Sequence, residues 1–227
     1  MPAALSPEAE IVRSIRLFAA PPVEDIDAFV AAGRRRLLLK GAFFTEIGDP
    51  APAVGFLHKG IVRYCVVDAE TGEDITKDFS VAPSFVVSFG SAVRGQAARV
   101  AIAAVEDCIV TSWPGRTLLD RFDRHEQWQK FGRKAAEWLY VRKEDRELAF
   151  LLRSPEQRYE ALVAEFAEVV SRIPQHFLAS YVGIAPESLS RLKRRKSARL
   201  RSRKPESPSV NQLSAVAAIA STPSARS

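Results

Sequence analysis

Hydrophobic and polar positions follow different patterns in three zones of the chain. From residue 8 to residue 32 the apolar positions have helical spacing, which begins at Ser6-Pro7-Glu8 and resumes after Pro21-Pro22. Between residues 34 and 116, short runs of β-branched and aromatic residues are separated by glycine and proline, as in a series of strands. From about residue 117 onward, three- and four-residue steps return. The pattern therefore predicts an α+β fold in which strands are flanked by helices.

Eight short strands are predicted in the middle zone, and turn residues such as Gly41 and Gly60 stand between them. The predicted strands are Arg35–Leu39, Ala42–Glu46, Val54–His58, Ile61–Val67, Asp74–Phe79, Phe85–Phe89, Arg99–Ala104 and Cys108–Trp113. No helical pattern in this zone is long enough for a βαβ unit. Many short strands at this spacing predict an all-β sandwich or a barrel-like roll.

A long helix is predicted from residue 120 to residue 152, because apolar residues recur there at mostly three- and four-residue steps. A helix of this length has more apolar surface than a small β domain can cover, so we predict a seam between two copies of the chain. The predicted seam residues are Trp128, Phe131, Ala135, Trp138 and Leu139. The heptad is imperfect, and the alternative is that the stripe packs only on its own β domain.

A capping box marks the start of the next helix. Ser154-Pro155-Glu156-Gln157 has serine at the N-cap, proline at the first helical position and glutamine at the third. This sequence predicts a helix that runs to about residue 171.

A helix-turn-helix is predicted in the stretch 175–195. Ala179 is small where the two helices would cross, and Gly183, four residues later, can adopt the left-handed conformation that a tight turn needs. Leu189 and Leu192 then give the second helix an apolar side to pack against the first. A helical hairpin that serves packing alone is the alternative interpretation, because a motif is only a hypothesis.

Positive charge is concentrated beside this motif. Residues 174–204 contain nine basic residues and one acid and carry +8, whereas the whole chain carries +6, so the remainder carries −2. Such local basicity is expected of a phosphate-binding surface, and the polar side chains left on the second helix suit base edges in a major groove. The predicted DNA-binding residues are Gln175, His176, Glu187, Ser188, Ser190, Arg191, Lys193, Arg194 and Arg195.

Other functional classes find little support in the sequence. Cys65 and Cys108 lie 43 residues apart and three histidines are scattered, so no ligand set for a metal or an iron–sulfur cluster is present and we predict no cofactor. No Ser-His-Asp order or phosphate loop emerges, and we predict that the protein is not an enzyme. The first ten residues lack the features of a signal peptide, and no apolar run reaches the roughly 20 residues of a membrane span. We therefore expect a cytoplasmic protein with no membrane partner.

The order of these elements, together with several short motifs, resembles the Crp–Fnr superfamily of bacterial transcription regulators over about residues 10–196. The motifs are Phe56–Tyr64, Gly72–Phe79, Ala103–Cys108, Ser154–Tyr159 and Ile173–Arg191, with Gly183–Arg191 the most specific. The resemblance implies a β-roll of the double-stranded β-helix or jelly-roll type, a long linking and dimerisation helix, and a C-terminal helix-turn-helix domain. The expected divisions are N-terminal helices (1–33), a cyclic-nucleotide-binding-like β-roll (34–116), the linking helix (117–152), the helix-turn-helix domain (153–200) and a disordered tail (201–227).

The resemblance further implies a homodimer that reads a two-fold symmetric site in double-stranded DNA with the second helix of the motif. In this family the glutamate of that helix accepts from a cytosine amino group, and the arginine donates to guanine or a phosphate. These roles map onto Glu187 and Arg191, with Ser190 beside them, and RNA polymerase is a further expected partner. Pro186 departs from the family pattern, so the half-site is not assigned.

The sensor stretch also departs from the family pattern. Cyclic-nucleotide binders of the family use Gly-Glu and, further on, Arg-Ser or Arg-Thr to hold the ribose and the cyclic phosphate. Residues 84–99 contain no Gly-Glu, Ala97 and Ala98 stand near the expected Arg-Ser, and Arg99 is about two residues out of register. The sensor pocket is therefore predicted to be degenerate or specific for an unknown effector. The alternative function is a module that binds a cyclic nucleotide or another small molecule, with DNA binding secondary.

Overall fold

The computed structural model describes residues 5–202, with side chains as far as residue 196. Two four-stranded antiparallel sheets form a β-roll, with strand orders β1-β8-β3-β6 and β2-β7-β4-β5. The strands are β1 (Arg34–Leu38), β2 (Phe43–Thr45), β3 (Val54–Lys59), β4 (Ile61–Val67), β5 (Asp74–Val81), β6 (Ser84–Val87), β7 (Ala101–Ala104) and β8 (Cys108–Trp113). All eight predicted strands are confirmed, with ends that differ by two residues at most. Apolar side chains from both sheets, among them Leu57, Val62 and Ile102, are fully buried between them.

Helices flank the roll on both sides in sequence. They are α1 (Pro7–Arg16), α2 (Val23–Ala31), α4 (Gly115–Phe122), α5 (Glu126–Leu152), α6 (Pro155–Glu165), α7 (Gln175–Val182) and α8 (Pro186–Ser202), with the short α3 (Phe89–Arg94) inserted after β6. The α+β prediction is therefore confirmed. Of the predicted tail (201–227), residues 201 and 202 belong to α8, and residues 203–227 lie outside the described residues.

Two predicted helix starts are confirmed by their caps. The Ser6 hydroxyl accepts from the amide of Ala9 at the start of α1. At α6 the capping box forms in full: the Gln157 amide donates to Ser154 Oγ (3.3 Å), and the Ser154 amide donates to Gln157 Oε1 (2.8 Å). The predicted extension of α6 to residue 171 was wrong. The chain leaves the helix after Glu165 and passes through a 3-10 turn, Val170–Arg172, as Phe166 becomes buried.

The single helix predicted over 120–152 is two helices in the structure. α4 ends at Phe122, and α5 begins at Glu126 after His125, whose extended backbone (φ −152°) cannot continue a helix. The His125 ring accepts from the amide of Gln127 (3.1 Å) and thereby caps the new helix.

The first turns of α5 belong to the core of the same chain. Trp128 is 0% exposed and Phe131 is 3% exposed, in a cluster with α1, α2 and β8 that includes Phe29 stacked on Trp113 at 4.4 Å. Because their own chain covers them, Trp128 and Phe131 do not belong to a seam between two copies, and that part of the prediction was wrong. Ala135 and Leu139 are half-buried and Trp138 is 44% exposed, so these three remain a prediction.

Candidate nucleic-acid interface

The helix-turn-helix is built around Gly183. This residue has φ +77° in the left-handed region, and its amide donates to the carbonyl of Ala179 (2.9 Å), which also accepts from Ile184 (3.1 Å). Ala179 and Leu189 are both 0% exposed within one apolar cluster. The two helices therefore pack against each other as the residue spacing predicts. This packing buries the side of α8 that carries Leu189.

The opposite side of α8 carries the predicted base-reading residues. Glu187 and Arg191 are exposed and lie four residues apart on one helix face, whereas Ser188 and Ser190 are half-buried. Arg191 donates from Nη2 to Ser188 Oγ (3.2 Å), which holds the guanidinium along the same face. An acceptor, two hydroxyls and a planar donor fork are thus brought together on one surface.

Three of the predicted phosphate-contacting cations follow in the next turn of α8, and of these Arg194 and Arg195 continue the face of Arg191. Lys193, Arg194 and Arg195 are exposed, and in the part of the chain whose side chains are described they form no ion pair. Lys196 differs, because its Nζ lies 3.1 Å from Glu160 on α6. Gln175 and His176 are exposed at the start of α7, where none of the described side chains caps the helix. The free amides of such an N-terminus suit an anion.

Arginines from elsewhere in the chain hold the C-terminal end of α7, a feature that the sequence analysis missed. Arg146 donates from Nη2 to the carbonyl of Tyr181 (3.0 Å), with its guanidinium 3.8 Å from the centre of the Tyr181 ring. Arg158 donates from Nε to the carbonyl of Val182 (2.9 Å). These carbonyls have no partner inside the helix, so the guanidinium groups both satisfy and position its last turn.

The roll contributes a second attachment for α7, centred on Arg63. Its side chain is almost fully buried and donates to both carboxylate oxygens of Asp74 (2.6 and 2.5 Å) and to Thr76 Oγ1 (3.2 Å). The guanidinium also lies 4.0 Å from the centre of the Phe177 ring on α7. Hydrogen bonds from Arg63 hold the pKa of Asp74 below its usual value. The Thr76 amide donates to Ser180 Oγ (2.8 Å), which adds a direct bond between β5 and α7.

A third attachment, formed by ion pairs, joins β5, α5 and α6. Arg142 donates from Nε and Nη2 to the two carboxylate oxygens of Asp78 (2.9 and 2.7 Å), and from Nη1 to Glu165 (2.5 Å). Two aromatic contacts reinforce it: the ring centre of Phe79 lies 5.9 Å from that of Phe166 and 5.5 Å from that of Tyr181. The helix-turn-helix is therefore docked on the roll of its own chain.

The sensor stretch contains β6 and α3 and has no carboxylate in residues 84–99. Arg99 is exposed, and the hydroxyl of buried Ser91 accepts from the Arg99 amide (3.2 Å). Nearby in the roll, burial raises the pKa of Tyr64 to about 12. Among residues 5–196 no group of three or more metal-ligating side chains occurs. None of the helices within the described residues is long and apolar enough to cross a membrane.

The sequence matches no protein-family model and no curated protein. The fold, however, is that of solved Crp–Fnr regulators, as the motifs predicted. CLP of Xanthomonas campestris, described as a c-di-GMP-responsive global regulator, is similar with a TM-score of 0.63 and 15% identity over 78% of this chain and 93% of that chain. FixK2 of Bradyrhizobium japonicum has a TM-score of 0.62 and 16% identity over 74% and 85% of the two chains. A CooA variant from Carboxydothermus hydrogenoformans has a TM-score of 0.57 and 13% identity over 81% and 88%.

Proposed function

We propose that the chain is a sequence-specific transcription regulator that binds double-stranded DNA as a homodimer, with RNA polymerase as a further partner. The observation that carries this proposal is the division of α8 into two sides. Leu189 is fully buried, whereas Glu187 and Arg191 are exposed on the outer face, and exposed cations follow from residue 193 to residue 195. A helix held by its apolar side and left with hydrogen-bonding groups outside is the arrangement that a major groove accepts.

The chemistry of the exposed groups supports distinct roles. A carboxylate such as that of Glu187 accepts from cytosine N4, and the guanidinium of Arg191 fits guanine O6 and N7. Lys193, Arg194 and Arg195, together with the N-terminus of α7 at Gln175, would contact phosphates and supply affinity without sequence preference. The description of CLP as a global regulator linked to gene expression is consistent with this assignment.

A stripe on α5 supports the homodimer. Trp138, Val141, Leu148 and Leu152 are 44–78% exposed and recur at steps of three, seven and four residues, with Asp145 at the intervening position. This is the spacing of a coiled-coil seam. The proposed seam therefore lies further along α5 than the sequence analysis placed it. A two-fold pair of α8 helices would read half-sites about 34–36 Å apart.

Selection of bound sequences from random duplex DNA tests the whole proposal. The expected result is enrichment of an inverted repeat with half-sites about 10 base pairs apart. Enrichment of a single half-site would contradict the dimer, and recovery of random sequence would contradict base reading. Failure to retain any duplex at low ionic strength would contradict DNA binding itself.

A further inference from the structure

A cleft of about 460 Å³ lies where β5 meets the second half of α5. Among the described residues, neither the outer face of α8 nor the sensor stretch 84–99 contributes to its walls. The lining residues are Lys77, Lys143, Arg146, Glu147, Phe150 and Leu151.

Three of the six lining side chains are cations, and one is an acid. Lys77 is half-buried, and within the described residues its ammonium group forms no hydrogen bond or ion pair. Burial, followed by the charge of Lys143, lowers the pKa of Lys77. The neighbouring carboxylate of Asp78 is already bound at both oxygens by Arg142. Within the part of the chain that the structure describes, the lining of the cleft therefore has an excess of positive charge, which favours an anion.

The fold positions two of the three cations. Lys77 lies within β5 where the pairing with β4 shifts register, and Arg146 is held by its bond to the Tyr181 carbonyl and by its stacking on the Tyr181 ring. That bond uses one of the five guanidinium donors. Phe150 and Leu151, 41% and 72% exposed, add an apolar wall beside the charges.

We propose that this cleft binds an organic phosphate. The phosphoryl group would lie among Lys77, Lys143 and Arg146, and the carbon skeleton would lie against Phe150 and Leu151. A doubly charged phosphoryl group matches the net charge of +2 on the lining, and guanidinium and ammonium groups are the usual protein donors to it. Because Arg146 also holds the last turn of α7, an occupant would contact the group that positions the helix-turn-helix. This last consequence rests on the proposed function, whereas binding to the cleft does not.

Calorimetric titration at constant ionic strength, without DNA, tests the site with phenyl phosphate and inorganic phosphate as probes. Phenyl phosphate is expected to bind once per chain and more tightly than inorganic phosphate, because only the former has a ring for the apolar wall. Lys77→Gln should weaken this binding about ten- to a hundredfold, as expected for loss of one charged hydrogen-bond donor. Lys59→Gln, at an exposed position on β3, is the matched control and should bind as the wild type does.

Three results would overturn the assignment. The first is that Lys77→Gln and Lys59→Gln weaken phosphate binding equally. The second is that phosphate binding is lost in Lys193→Gln but unchanged in Lys77→Gln. The third is that neither probe gives saturable heat. The second result would place the anion on α8. Should Lys77→Gln fail to fold, Lys143→Gln, at an exposed helical position, makes the same test. Since no DNA is present, failure of the proposed function leaves this experiment unaffected.

Discussion

Replacing Gly183 with alanine would destabilise the turn between α7 and α8 for two separable reasons. At φ +77° a side chain costs roughly 1–2 kcal/mol. The new Cβ would also lie 2.7 Å from Cε1 of Phe150. The Phe150 ring cannot move freely, because the guanidinium groups of Arg146 and Arg158 lie 4.9 and 4.6 Å from its centre. Displacing the two cation–π contacts adds about 1–2 kcal/mol, so we expect Gly183→Ala to lower the free energy of unfolding by about 2–4 kcal/mol in total.

Gly72→Ala is the matched control, because Gly72 has φ +70° and, apart from its chain neighbours, none of the described residues has a heavy atom within 4 Å of the position of its Cβ. The free energy of unfolding, measured by urea denaturation, should fall less for Gly72→Ala than for Gly183→Ala. In a Phe150→Ala background, Gly183→Ala should lower the free energy of unfolding no more than Gly72→Ala does, because the ring that the new Cβ would contact is no longer there. Equal losses at the two glycines in the wild-type background would refute the packing of Phe150 against the turn.

Three further predictions concern base reading, the seam and pH. Arg191→Ala should reduce the DNA-binding free energy by about 1–3 kcal/mol on a matched duplex and by little on a duplex mismatched at the base pair that Arg191 contacts. Lys193→Ala should weaken binding to both duplexes alike. Equal losses on the two duplexes for Arg191→Ala would show that Arg191 does not read a base. Leu148→Asp should yield monomers at micromolar concentration in light scattering, and a persistent dimer would place the seam elsewhere. The pKa of Asp74 in the folded state lies below its ordinary value of 3.8. The stabilisation that the ionised Asp74 carboxylate gives to the fold is therefore present above pH 3.8 and is lost as the pH falls through the folded-state pKa. The stability difference between wild type and Asp74→Asn should accordingly shrink below about pH 4, and a difference that grows on acidification would contradict the bond to Arg63.

Strands and turns could be predicted because their signals are local. Gly60 illustrates this: it has φ +102° between β3 and β4, and the β-branched runs on either side suit a strand in any context. Gly183 and the capping box at Ser154 are local in the same sense. In each case the hydrogen bonds that end or begin the helix join groups three or four residues apart. These helix ends could therefore be predicted without knowledge of the surrounding fold.

The extent of the seam could not be predicted, because it depends on distant parts of the chain. Trp128 and Trp138 are the same residue type on one helix, yet one is fully buried and the other 44% exposed. The difference arises because α1 and α2 cover the first turns of α5, a contact between residues about 100 positions apart in sequence. The break at His125 was missed for a related reason. Its neighbours are compatible with a helix, and only the capping bond of the folded state marks the new start.

Charge was the strongest functional signal in the sequence, but charge alone does not define a DNA-binding surface. Arg63, Arg142, Arg146 and Arg158 are as basic as the residues on α8, yet each is bound to a carboxylate or a helix carbonyl of its own chain. A guanidinium held in this way stabilises the docking of the helix-turn-helix and is not free to release counterions from DNA. The cations at 193–195 differ in being exposed and, among the described residues, without an ion-pair partner. Among the described residues, the cations at 193–195, which suit DNA phosphates, therefore differ from the cations that hold the helix-turn-helix on the roll in having no ion-pair partner, and only the folded chain reveals this difference.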